Sequence, residues 1–91
     1  MPTRILVVED SPTQAERLVA HLEAAGHIVQ AATTAEAALD RLDAGAFDLV
    51  LSDVVMPGMG GYDFCRVVKA QQPELPVLLL TSLSDPMDII R

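Results

Sequence analysis

The sequence predicts an α/β fold in which a parallel sheet carries helices on both faces, and three observations lead there. Short, continuous apolar runs recur along the chain, each run gives way abruptly to polar or acidic residues, and stretches with apolar residues at helical spacing separate one run from the next. Strict alternation of this kind is joined by right-handed crossovers, which pack the helices against the sheet.

The first run, Ile5-Leu6-Val7-Val8, is β-branched and apolar throughout, as a strand buried on both faces should be, and it stops at Glu9-Asp10. Asp10 or Ser11 then caps a helix whose first residue is Pro12; Ala15, Leu18, Val19, Leu22 and Ala25 recur on one face until Gly26. A second strand covers Ile28 to Ala31, followed by Thr33 and Glu36 at capping-box spacing and a helix whose Leu39 and Leu42 face inward before Gly45. Leu49-Val50-Leu51 forms the third strand and ends at Ser52-Asp53, where a Pro- and Gly-rich loop runs from Val54 to Gly61. A third helix spans about Tyr62 to Gln71, with Phe64, Val67 and Val68 on its apolar stripe, and Pro73 and Pro76 close it off. Val77 to Leu80 make the fourth strand; Thr81-Ser82 follow, and Ser84 or Asp85 before Pro86 announces one more helix.

Bulk properties exclude several classes. Ninety-one residues, 51% of them apolar, suit one small core. A net charge of −7, with six scattered basic residues, argues against direct binding of nucleic acid. The single cysteine, Cys65, rules out an internal disulfide and fits a reducing compartment. No apolar run approaches the roughly 20 residues needed to cross a bilayer, and a strand beginning near Arg4 leaves no room for a secretion signal, so a cytoplasmic location is expected.

Ligands of open α/β sheets sit beyond the carboxyl ends of the strands. By that rule Glu9, Asp10, Asp53 and Thr81 arrive at one rim, because each follows a buried run. Carboxylates crowded together repel one another, and a divalent cation relieves them; an all-oxygen set suits Mg²⁺, which takes contacts of about 2.0–2.1 Å and keeps several waters. With such an ion clamping phosphoryl oxygens, Asp53 could attack phosphorus in line and Thr81 could donate its hydroxyl to the group transferred. The plainer alternatives are that Glu9-Asp10 caps a helix or forms a solvated turn, and that Thr81 merely ends a strand. Gly58-Met59-Gly60-Gly61 lacks dinucleotide-loop spacing and is read as turn chemistry, while His21, His27 and Cys65 have no spaced partners and are read as structural or surface residues.

Three segments in order, Ile5-Leu6-Val7-Val8-Glu9-Asp10, Asp53-Val54-Val55-Met56-Pro57 and Val77-Leu78-Leu79-Leu80-Thr81-Ser82, resemble the signature segments of CheY-like receiver domains of two-component response regulators. The resemblance covers residues 1–91 and implies a flavodoxin-like, doubly wound parallel sheet with strand order 2-1-3-4. It further implies that Asp53 accepts a phosphoryl group from a sensor histidine kinase or phosphotransfer protein. Asp10, Asp53 and the Val55 carbonyl would bind Mg²⁺, Glu9 would assist through water, and Thr81 would be the switch hydroxyl.

Against the family pattern, the chain is expected to lack the fifth strand, the lysine that strand delivers and the final helix; Lys69, the only lysine, is expected on the third helix, away from the strand tips. The fourth strand is then expected at an edge unguarded by lysine, interior proline or charge, which predicts self-association or segment swapping there. Two other functions compete. A non-phosphorylated interaction or dimerisation stub would keep the fold without the chemistry. A phosphotransferase of the haloacid-dehalogenase type, also built on a strand-tip aspartate, typically needs an acid two residues further on, where this chain has Val55.

Overall fold

The computed structural model describes residues 2–80 and the backbone of residues 89–90. The expected alternation is realised as β1 (Arg4–Val8), α1 (Pro12–Ala24), β2 (Ile28–Ala32), α2 (Ala35–Ala44), β3 (Leu49–Asp53), α3 (Gly61–Gln71) and β4 (Val77–Leu80). These four strands are parallel and lie in the order β2-β1-β3-β4, as the resemblance implies.

Alternation along the strands divides the core. Leu6 and Val8 of β1, Val50 of β3, and Val77 and Leu79 of β4 join one buried cluster with Ala35, Ala38 and Leu42 of α2 and Phe64 and Val68 of α3. Ile5 and Val7 point to the opposite face, toward the side where α1 packs on β1 and β2. On that second face Leu49, Leu51, Leu78 and Leu80 are only half-buried.

The helix ends refine the expected boundaries. Ser11, not Asp10, caps α1, its hydroxyl accepting from the Gln14 N–H, which leaves Asp10 clear of capping. Thr34 rather than Thr33 caps α2, accepting from the Ala37 N–H at 3.0 Å. The capping-box expectation fails by one residue because β2 continues through Ala32, whose carbonyl accepts from the Glu9 N–H. The Thr34→Ala variant should lose about 1 kcal/mol of stability, the usual value of such a cap, measured as a lowered urea midpoint at unchanged slope.

The outer edge of β4 differs from expectation. A two-residue strand, β5 (Ile89–Ile90), pairs antiparallel with it, Leu79 opposite Ile90 and Leu80 opposite Ile89. The main-chain groups at that end of β4 therefore have a partner, and the edge is not bare along its whole length. This fifth strand runs against the direction of the other four and does not extend their parallel pattern. The helix expected after Ser84 or Asp85 lies outside the described residues.

Candidate functional site

Strand register brings the acidic residues together. Val8 of β1 is level with Ser52 of β3, so the residues that follow, Glu9 and Asp53, leave adjacent strands at the same height. Pleat alternation turns Val8 and Ser52 toward the α2–α3 face and sends the next side chains to the face bearing α1. Carboxylate oxygens of Glu9, Asp10 and Asp53 all lie within 4.8 Å of one another. Glu9 is buried, Asp53 half-buried and Asp10 exposed, so the cluster opens from the sheet edge to solvent.

The main chain around Asp53 is held from three directions. The Ser52 hydroxyl, completely buried, donates to the Asp53 carbonyl at 2.9 Å; the Val54 N–H donates to the Leu80 carbonyl at 2.9 Å; and the Gly61 N–H donates to the Val54 carbonyl at 2.8 Å. Gly61 is a site residue that turn chemistry alone does not reveal. A Cβ there would overlap the Asp53 carbonyl oxygen and fall 2.7 Å from the Val54 Cα, so only glycine lets the first turn of α3 press against the end of β3.

Electrostatics fit a cation. The Glu9 carboxyl is raised from 4.5 to about 7, chiefly because burial disfavours its charged form. The Ser11 N–H, donating to Glu9 Oε2 at 3.1 Å, works in the other direction, while a hydrogen bond with Asp10 and the negative charges of Asp53 and Asp10 raise it further. An anionic cluster that resists full ionisation is what a hard divalent ion stabilises, and every side-chain donor in it is a carboxylate oxygen. These residues therefore suit a metal such as Mg²⁺.

Beside the cluster is a cleft of about 510 Å³ lined by Glu9, Asp10, Asp53, Val55, Leu80 and one face of α1. Val55 sits on its rim, 71% exposed, with its N–H 3.4 Å from Asp53 Oδ1. Four of the five sequence-derived site residues, Glu9, Asp10, Asp53 and Val55, thus share one cleft; Thr81 lies outside the described residues. Lys69 is far from it as expected, its Nζ donating to the Leu75 carbonyl at 2.6 Å before β4 begins. The polar face of α1, Gln14, Arg17 and His21, also lines the cleft, His21 as an exposed surface residue. The signal for this face was available as a helical repeat starting at the strand tip. Among the described residues no helix is long and apolar enough to cross a membrane.

Comparison with known proteins agrees with this architecture. The family model described as "Response regulator receiver domain" matches residues 5–91. The response regulator protein FleR of Pseudomonas aeruginosa is 44% identical over 82 residues, covering 90% of this chain and 17% of FleR. The DNA-binding response regulator MtrA of Mycolicibacterium smegmatis is 38% identical over 90 residues, covering 99% of this chain and 39% of MtrA. The chain therefore spans well under half the length of either relative. Among solved structures, the response regulator protein TrrA of Thermotoga maritima, in complex with Mg(2+)-BeF, superposes with a TM-score of 0.86 at 34% identity, over 90% of this chain and 71% of that one. With fold, acidic cleft and family model in agreement along the chain, it belongs to the response regulator receiver domain family of two-component systems.

Proposed function

We propose that Asp53 is the phosphoacceptor, taking a phosphoryl group from a sensor histidine kinase or a phosphotransfer protein. The observation that carries this reading is the convergence of Glu9, Asp10 and Asp53 oxygens within 4.8 Å at the end of the sheet. Membership of the receiver family supports it. Mg²⁺ is the proposed ion, held by Asp10, Asp53 and the Val55 carbonyl, with Glu9 assisting; when bound, it neutralises charge on the phosphoryl oxygens.

In the proposed transfer an Asp53 carboxylate oxygen attacks phosphorus from the side opposite the leaving group. The new O–P bond forms as the donor's P–N bond to imidazole breaks, and the departing nitrogen keeps the electron pair and takes up a proton. The three hydrogen bonds that hold the main chain at Asp53 and Val54 fix the backbone from which the attacking carboxylate projects, so less ordering remains at the moment of reaction. Thr81, outside the described residues, is the proposed switch hydroxyl, donating to a phosphoryl oxygen once that group is present. On this reading the domain is a switch and not an enzyme, because the only group it modifies is its own aspartate.

On this reading the domain works in the cytoplasm, and the net charge of −7 disfavours contact between this segment and nucleic acid. A second copy of the chain is a further proposed partner. Among the described residues β5 pairs with only Leu79 and Leu80, leaving Val77 and Leu78 at the outer edge of β4. Light scattering at tens of micromolar should show a species larger than the monomer, and a folded, strictly monomeric protein would refute self-association.

The decisive experiment is incubation with Mg²⁺ and acetyl phosphate followed by intact mass. Wild-type protein should gain one phosphoryl group and the Asp53→Asn variant none. An unchanged wild-type mass would leave an interaction or dimerisation stub as the function.

A further inference from the structure

The cleft beside Asp53 contains a positive side chain whose placement points to a specific role. Five basic side chains fall within the described residues, and four are engaged elsewhere. Arg4 Nε donates to the Ala46 carbonyl and its guanidinium stands over the Phe47 ring. Arg41 donates to Gln30 Oε1, Arg66 pairs with Asp63 at 2.9 Å, and Lys69 donates to the Leu75 carbonyl. Arg17 makes no hydrogen bond or ion pair among the described residues, and it alone of the five lines the cleft with Glu9, Asp10 and Asp53.

Its position on α1 suits an approach to the strand ends. Gln14, Arg17, Leu18 and His21 follow the i, i+3, i+4, i+7 spacing of one helix face, and all four line the cleft. Arg17 lies five residues beyond Pro12, about 7.5 Å along the axis, and helical side chains lean toward the N-terminus. That terminus is where Ser11 donates to Glu9. Arg17 is exposed and lines the same cleft as the acidic cluster, so its long stem is free to turn toward a group held there.

Charge supplies the need. Phosphorylation turns the Asp53 carboxylate, of charge −1, into an acyl phosphate of about −2 beside Glu9 and Asp10, and one divalent cation leaves the total negative. We propose that Arg17 is a phosphoryl-binding residue, its planar guanidinium donating to phosphoryl oxygens on Asp53 through the cleft. This rests on the receiver reading above and adds to it a residue from α1. The guanidinium keeps all its protons throughout. With acetyl phosphate as donor, the Asp53 O–P bond forms as the acetyl O–P bond breaks, and acetate leaves with the electron pair.

The test compares rates of phosphoryl uptake by intact mass, at limiting acetyl phosphate and saturating Mg²⁺, for wild type, Arg17→Ala, Arg17→Lys and the surface control Arg66→Ala. Arg17→Ala should be slower by about tenfold, Arg17→Lys should recover part of the loss, and Arg66→Ala should match wild type. Mg²⁺ affinity measured without donor should not fall in Arg17→Ala; a fall would assign the arginine to site architecture and overturn the proposal. Equal uptake by wild type and Arg17→Ala overturns it while leaving the receiver reading intact. No uptake by wild type overturns the receiver reading itself, and this proposal with it.

Discussion

Gly61→Ala should destabilise the domain by on the order of 3 kcal/mol and weaken the proposed Mg²⁺ binding, as a single methyl group forces α3 away from the end of β3. The atoms in its path are the Asp53 carbonyl, which accepts from Ser52, and the Val54 Cα, whose flanking N–H and carbonyl are both hydrogen-bonded, so no flexible side chain can give way. Gly60→Ala is the matched control. Its Cβ would meet the Val54 carbonyl oxygen at 3.5 Å, an ordinary contact, and its φ of −75° suits any L-residue. That variant should lose less than about 1 kcal/mol, mainly from a poorer helix cap. Urea unfolding with and without Mg²⁺ distinguishes the two, and equal midpoints for both variants would show that the close approach carries no weight.

The second large effect concerns pH. The folded-state value of Glu9, about 7, lies above its ordinary 4.5, so between these values the native state holds a proton that the unfolded chain has released. Without metal, the stability due to this group is therefore greatest below about pH 4.5 and declines as pH rises to about 7, opposite to the usual behaviour of a paired carboxylate. A bound cation requires that proton to leave. Mg²⁺ affinity should accordingly rise by up to about tenfold per pH unit on the acid side and level off near pH 7. Calorimetric titration across this range measures the slope directly. Glu9→Gln should flatten it and should raise metal-free stability above neutral pH. A wild-type affinity independent of pH would mean that Glu9 is already ionised in the fold.

Much of the architecture was legible because buried parallel strands leave a blunt record. Val7-Val8 and Leu49-Val50-Leu51 have no polar interruption, and the residues that end such runs must emerge at one rim. The cluster of Glu9, Asp10 and Asp53 follows from that rule alone. What escaped the sequence depends on distances between elements. Gly61 sits among Gly58 and Gly60 in a segment that any turn would explain, and only the approach of α3 to Asp53 sets it apart. Thr33 and Thr34 are indistinguishable as caps until the length of β2 is known. Arg17 shows no pattern of its own, because its interest comes from facing a strand tip on another element. The pairing of Ile89–Ile90 with β4 is likewise a tertiary choice made by two residues too few to announce a strand.

The way β3 ends has a bearing on how such a domain diversifies. The Asp53 backbone is restrained through a buried serine hydroxyl, the Leu80 carbonyl and the Gly61 amide, two of which are main-chain groups present whatever side chains surround them. Val55 and Tyr62 nearby are exposed, and their side chains take no part in these three hydrogen bonds. On the proposal that Asp53 is the phosphoacceptor, its position and the outer surface are set by different atoms, so a lineage can alter one while the other stays still.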